Sequence, residues 1–191
     1  MKAVVQRVID ASVTVNGELK GSIACGLLVY LGVARDDTPD DADWLAEKVV
    51  NLRIFDDIAG KMNRSLLEII NEEPRAGIDV NHSLSTVNNN DVNHNKNPVN
   101  DTHVNHQKDA VNIVSIGVLA VSQFTLLGDA RKGRRPSWAK AAPPETARDL
   151  YHYFIEKIRA YAPCAGGEFQ AHMRVRYTND GPVTIIVESR E

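Results

Sequence analysis

No apolar run in this 191-residue chain approaches the roughly 20 residues that a membrane-spanning helix requires. The start, MKAVVQRVIDASVTV, alternates like a strand and lacks the charged-then-apolar layout of a secretory leader, so a cytoplasmic location with no membrane contact is expected. Basic charge is also short: 22 Lys and Arg stand against 25 Asp and Glu, a formal net charge of −3. That balance argues against a protein that coats nucleic acid through its phosphates, which needs many cations on one face, and leaves room for a small local RNA contact. Cysteine is limited to Cys25 and Cys164, in no metal-ligand spacing, which reads as two thiols in a reducing compartment. Also missing are a nucleophile elbow, a zinc-binding His pair on a helix and a phosphate-cradling glycine loop. No cofactor or metal is called for.

What is present is 43% hydrophobic residues, enough for one full core, in strand-rich text with two good helices. Residues 2–9 and 12–15 read as β structure, and Asn16-Gly17 is a strong two-residue hairpin signal. The run GLLVYLGVA at 26–34 suits a strand covered on both faces. A helix is predicted from Thr38, with Pro39 at its first position, Asp41 three residues after the cap, and Ala42, Leu45, Val49 and Leu52 as its buried stripe. Residues 113–129 contain the next buried strand. After Pro143-Pro144 a second helix runs to about Tyr161 with Ala147, Leu150, Phe154 and Ile158 on one side. From Phe169 to Thr178 apolar and polar residues alternate as in a half-buried strand. Asn179-Asp180-Gly181-Pro182 then reads as a hairpin turn, although Pro182 removes a ladder donor where the next strand would begin.

One segment stands apart. From about 71 to 112 the text is rich in Asn and His, with DVNH at Asp79–His82 and again at Asp91–His94, and VNH at Val104–His106. With so few apolar residues it cannot offset the entropy of ordering its backbone, and it reads as a low-complexity insertion in a single domain spanning 1–191. His103 and His106 could hold a metal loosely; a solvated loop is the plainer reading.

The most suggestive polar cluster is SQFTL, where Ser122, Gln123 and Thr125 sit at the end of a buried strand. Strand ends are common places for ligand contacts, and equally for strand-end polar groups that are simply satisfied. His152 and His172 have no evident acidic partner and read as surface or packed histidines rather than general bases.

Four blocks stand in order with compatible spacing: MKAVVQRVIDASVTVNGE, LRIFDDIAGKMNRSL, VSQFTLLGDARKGRRPSW and NDGPVT. Together they resemble the D-aminoacyl-tRNA deacylases over nearly everything outside 71–112; the insertion departs from that family's compact pattern. The resemblance implies an α/β (α+β) fold, barrel-like, with mainly antiparallel β-sheets and two main helices. It implies hydrolysis of the ester of D-aminoacyl-tRNA, and of glycyl-tRNA mischarged on tRNA-Ala, with L-aminoacyl-tRNA rejected. It further implies a homodimer whose active site is shared across the interface and whose partner is the 3′ acceptor end of aminoacyl-tRNA.

Residue by residue, the resemblance assigns catalysis to Ser122, Gln123, Phe124 and Thr125. Backbone N–H groups around Phe124 and Thr125 would stabilise the oxyanion while water attacks, aided by the 2′-hydroxyl of the terminal adenosine. Thr125 as a covalent nucleophile is the other mechanism, and it would need a neighbouring base. Gly181 and Pro182, joined by a cis bond in that family, would enter the partner's site and aim two carbonyl oxygens at the α-ammonium, leaving an L side chain no room. Arg7 would brace that motif through carbonyl hydrogen bonds, or be an ordinary strand arginine, and Met173 joins the substrate-binding set. Lys132, Arg134 and Arg135 would bind acceptor-end phosphates, or be a solvated loop. Two alternatives stay open: a related deacylase for mischarged L-alanyl-tRNA, in which the Gly-Pro bond is trans, and a tRNA-binding module without catalysis.

Overall fold

A computed structural model describes residues 1–72 and 112–190. Strand β1 (Lys2–Val15) runs unbroken through the two segments that the sequence pattern separates, turns at Asn16-Gly17 and returns as β2 (Glu18–Gly32). Both turn residues have positive φ, 51° and 86°, the geometry that matches a two-residue turn to strand twist.

Helix α1 (Pro39–Val50) starts as predicted: the N–H and hydroxyl of Thr38 donate to Asp41 Oδ2 at 2.8 and 2.9 Å, and Pro39 occupies the first turn, where a missing N–H is harmless. Ala42, Leu45 and Val49 are buried on it, while Leu52 lies past its end. A short hairpin, β3 (Phe55–Asp56) and β4 (Met62–Arg64), leads to α2 (Leu66–Glu72). Asn71 and Glu72 finish α2 and Asn112 opens β5 (Asn112–Ser122). The remainder of the insertion expected at 71–112, including His103 and His106, lies outside the described residues. The described residues form one compact unit. A 3₁₀ turn (Phe124–Leu127), helix α3 (Pro144–Tyr161), β6 (Cys164–Gly166) and β7 (Met173–Glu188) complete the chain.

The five-stranded sheet has the order β6-β5-β2-β1-β7. Its longest pairings, β1 with β2 and β1 with β7, are antiparallel, and β5 joins in parallel to β2 and β6. A parallel neighbour needs a crossover, which the chain carrying α1 and α2 supplies. One face buries Val5, Leu27, Val29, Leu31 and Ala120 beneath α1 and α3. The other gathers Val13, Leu28, Leu119 and Val121 with Met173 and Val175, so the first half of β7 packs against side chains of β2 and β5 and the sheet curls.

Two expectations are corrected. The alternating text from Phe169 does not enter the sheet until Met173, because Gln170 takes a left-handed φ of 64° that breaks the extended chain. Phe169 packs instead on the Tyr151 ring, 5.9 Å away. The hairpin expected at 179–182 is also absent. Asn179 pairs with Val8 and Thr184 with Gln6, both on β1, so the chain keeps its direction through the Gly-Pro step. The stretch from Asn179 to Thr184 faces only the step from Val8 to Gln6, and the surplus residues bulge out of a continuing strand.

Candidate active site

At the end of β5 the sheet delivers Ser122 and Gln123 to the surface. The Gln123 N–H donates to Leu31 O at 2.7 Å, the last tie to β2, and the chain then tightens into the 3₁₀ turn. Phe124 and Thr125 open that turn, the positions whose N–H groups a helix leaves without internal acceptors. The Gln123 side-chain amide donates to the Thr125 hydroxyl.

Ser122, Gln123 and Phe124 form one wall of a cavity of about 570 Å³. Ala147 and Tyr151 of α3 and the segment from Phe169 to Met173 stand among its other walls, with His172 exposed there, and Leu31, Val33 and Val121 contribute from the sheet side. The cavity is shaped by Tyr151, whose buried hydroxyl donates to Ala120 O at 2.9 Å and reaches Gly167 O at 3.2 Å, bridging β5 and the chain after β6. Burial pushes its phenol well above the usual range, so it stays a neutral donor.

The Gly-Pro step belongs to a second cluster. The Gly181-Pro182 bond is cis and Gly181 has φ +127°, a conformation that an L side chain rarely adopts; an added Cβ would also meet Val183 N at 2.9 Å. Asn179 closes the bulge: its side-chain oxygen accepts from Val183 N–H at 2.8 Å and its amide donates to Val183 O at 3.1 Å and to Gln6. Arg7, 6% exposed, secures it from below. Its Nε meets the Asp180 carboxylate at 2.9 Å and carbonyl at 3.3 Å, and a terminal nitrogen donates to Ile54 O at 2.7 Å and approaches Asp56 at 3.4 Å. Arg7 thus holds the motif of its own chain, through Asp180.

Met173 joins Ser122, Gln123 and Phe124 around the cavity; Thr125, Arg7, Gly181 and Pro182 do not line it. Asn179 and Asp180, which hold the bulge, read in the sequence only as turn formers; the signal that could have marked them is that an Asn-Asp-Gly turn has no use for the following Pro182. In the basic loop, Asp129 and Ser137 exchange two backbone hydrogen bonds of 2.9 Å, and Arg131 folds back on Asp129, holding that carboxyl well below the usual range. Lys132, Arg134 and Arg135 are exposed.

The sequence matches the family described as D-Tyr-tRNA(Tyr) deacylase over residues 4–73 and 87–188. A D-aminoacyl-tRNA deacylase of Kosmotoga olearia is 44% identical over 100% of this chain and 99% of its own length. One of Syntrophobacter fumaroxidans is 46% identical with the same coverage. Among solved structures, a chain described as c-Myc DNA unwinding element binding protein is 32% identical with a TM-score of 0.71, covering 98% of both chains. Another, described as a probable eukaryotic D-amino acid tRNA deacylase, shares the fold at a TM-score of 0.67 with 14% identity and 98% coverage of both.

Proposed function

This chain belongs to the D-Tyr-tRNA(Tyr) deacylase family, and on that premise we propose that it hydrolyses the ester between a D-amino acid and the terminal adenosine of tRNA. The observation that carries the reading is the cavity: inside the matched span, the end of β5 and Met173 converge on one concave site with the two opening N–H positions of the 3₁₀ turn at its edge. In the proposed step, water adds to the ester carbonyl carbon and the oxygen that gains charge is held by the N–H groups of Phe124 and Thr125. The carbon–oxygen bond to the ribose then breaks, the ribose oxygen takes a proton, and free amino acid and tRNA depart. The substrate's own 2′-hydroxyl assists. Thr125 serves through its backbone, since the hydrogen-bond partner of its hydroxyl is the Gln123 amide, which donates and cannot act as a base.

Selection by hand falls to Gly181 and Pro182. They lie away from the cavity of their own chain, so a second copy in a homodimer would supply them, their carbonyls taking the α-ammonium and their bulk excluding an L side chain. D side chains leaving toward solvent need no matching pocket, and glycine, with nothing to exclude, enters as well. The same reading takes in glycyl-tRNA mischarged on tRNA-Ala, and a substrate that belongs to translation supports a cytoplasmic location.

The test is turnover. D-Tyr-tRNA is expected to be cleaved many times per enzyme molecule, with L-Tyr-tRNA at least a thousandfold slower, the ratio that an exclusion of about 4 kcal/mol produces. A binding module would only protect the ester, and faster release of L-alanine than of D-residues would mark the related deacylase instead.

A further inference from the structure

Two large aromatic side chains are left open to solvent beside the cavity: Phe124 is 56% exposed and Trp138 is 40% exposed. They touch edge to face, with ring centroids 5.3 Å apart and planes at 72°. Trp138 is seated against backbone rather than loosely attached, because a Cβ at Gly128 would stand only 2.4 Å from Trp138 Cζ3. The loop it closes is stiff as well, joined at its base by the Asp129–Ser137 pair and tied inward by Arg131. What that loop leaves outward is charge. Lys132, Arg134 and Arg135 are exposed, and among the described residues none of them is in an ion pair with a carboxylate.

An exposed tryptophan on its own is an ordinary surface feature. A fixed pair of rings flanked by three uncommitted cations is a different object: flat π faces for unstacked bases and positive charge for the phosphates between them. Its position adds direction: Phe124, whose N–H is assigned to the ester, touches Trp138, and Trp138 directly follows the loop that carries the cations. A protein of net charge −3 must hold an anionic partner through local positive charge, and this loop supplies such a patch.

Resting on the deacylase reading above, we propose that Trp138, backed by Phe124, is the stacking platform for the unpaired nucleotides preceding the terminal adenosine of tRNA, with Lys132, Arg134 and Arg135 on their phosphates.

Hydrolysis and binding test this separately. Trp138→Ala is expected to raise about tenfold the ratio of KM for D-Tyr-tRNA to KM for D-tyrosyl-adenosine, which lacks the preceding nucleotides, and Trp138→Phe to restore most of it. An unchanged ratio, or an equal rise for both esters, overturns the proposal. In Trp44→Phe protein the remaining emission comes from Trp138 alone, and an uncharged RNA hairpin ending in a single-stranded CCA is expected to quench it. The same hairpin without the CCA should leave it bright. Replacing Arg134 and Arg135 by alanine should reduce the salt slope of that binding by about 0.7 per lost phosphate contact. Equal quenching by both hairpins, or an unaltered slope, also defeats it. If the wild-type protein cleaves neither ester while the CCA hairpin still quenches, the catalytic reading fails and the platform stands.

Discussion

Strand arginines ordinarily reach water. Arg7 instead spends its guanidinium on Ile54 O and on both the carbonyl and the carboxylate of Asp180, next to Gly181. A planar fork serves several acceptors at once where an ammonium serves a point. Arg7→Ala should therefore cost about 1–3 kcal/mol in urea denaturation, by leaving the buried Ile54 carbonyl without its donor, and should lower kcat/KM for D-Tyr-tRNA. Arg7→Lys should recover part of the stability and less of the activity. Equal recovery of both would show that the fork does not position the motif. The sequence makes Arg7 visible as a strand residue inside a resembling block, but its partners lie 47 and 173 positions away, a distance that no local pattern encodes.

At the scale of elements, Asp41 ties the start of α1 to the end of the chain. Its carboxylate, 6% exposed, takes the Thr38 N–H and hydroxyl and is gripped by Arg190, whose guanidinium holds the carboxyl well below the ordinary carboxylate range. A carboxyl depressed by folding binds its proton more readily in the unfolded chain. Its contribution is complete above the unfolded value of about 4 and is lost as pH falls toward the folded one. Stability should therefore decline below about pH 4, and Asp41→Asn should flatten that decline while costing about 1–2 kcal/mol at neutral pH. An equally steep acid limb in the variant would remove Asp41 from the account. The helix itself was legible, since cap, proline and apolar stripe are all local. The bulge in β7 was not, because Asn-Asp-Gly-Pro has the chemistry of a reversal, and only the fact that β1 pairs on both sides of it keeps the chain straight.

For the whole molecule, the separation of the Gly-Pro cluster from the cavity of its own chain sets the decisive test of a shared site. Phe124→Pro removes one N–H of the proposed oxyanion site, and Gly181→Ala disturbs the bulge. In a twofold dimer each variant alone should be inactive, yet randomly re-paired subunits should recover about a quarter of wild-type turnover, because half the dimers are mixed and each mixed dimer has one intact site. No recovery would confine the site to one chain. Nothing in composition or periodicity announces such sharing; it enters through the resemblance alone, since self-association leaves no mark on a single strand's alternation.

The surplus residues of β7 are stitched to β1 on either flank, so they are not a flap. A gate on a free loop can swing aside on its own timescale and let an occasional wrong guest through. A protrusion woven into a ladder yields only when neighbouring rungs let go, and on the proposed reading of the bulge as the element that excludes the L hand, its error rate is coupled to local melting of the sheet. Warming or denaturant should then erode discrimination in step with amide exchange along Gln6 to Val8, well before the molecule as a whole gives way.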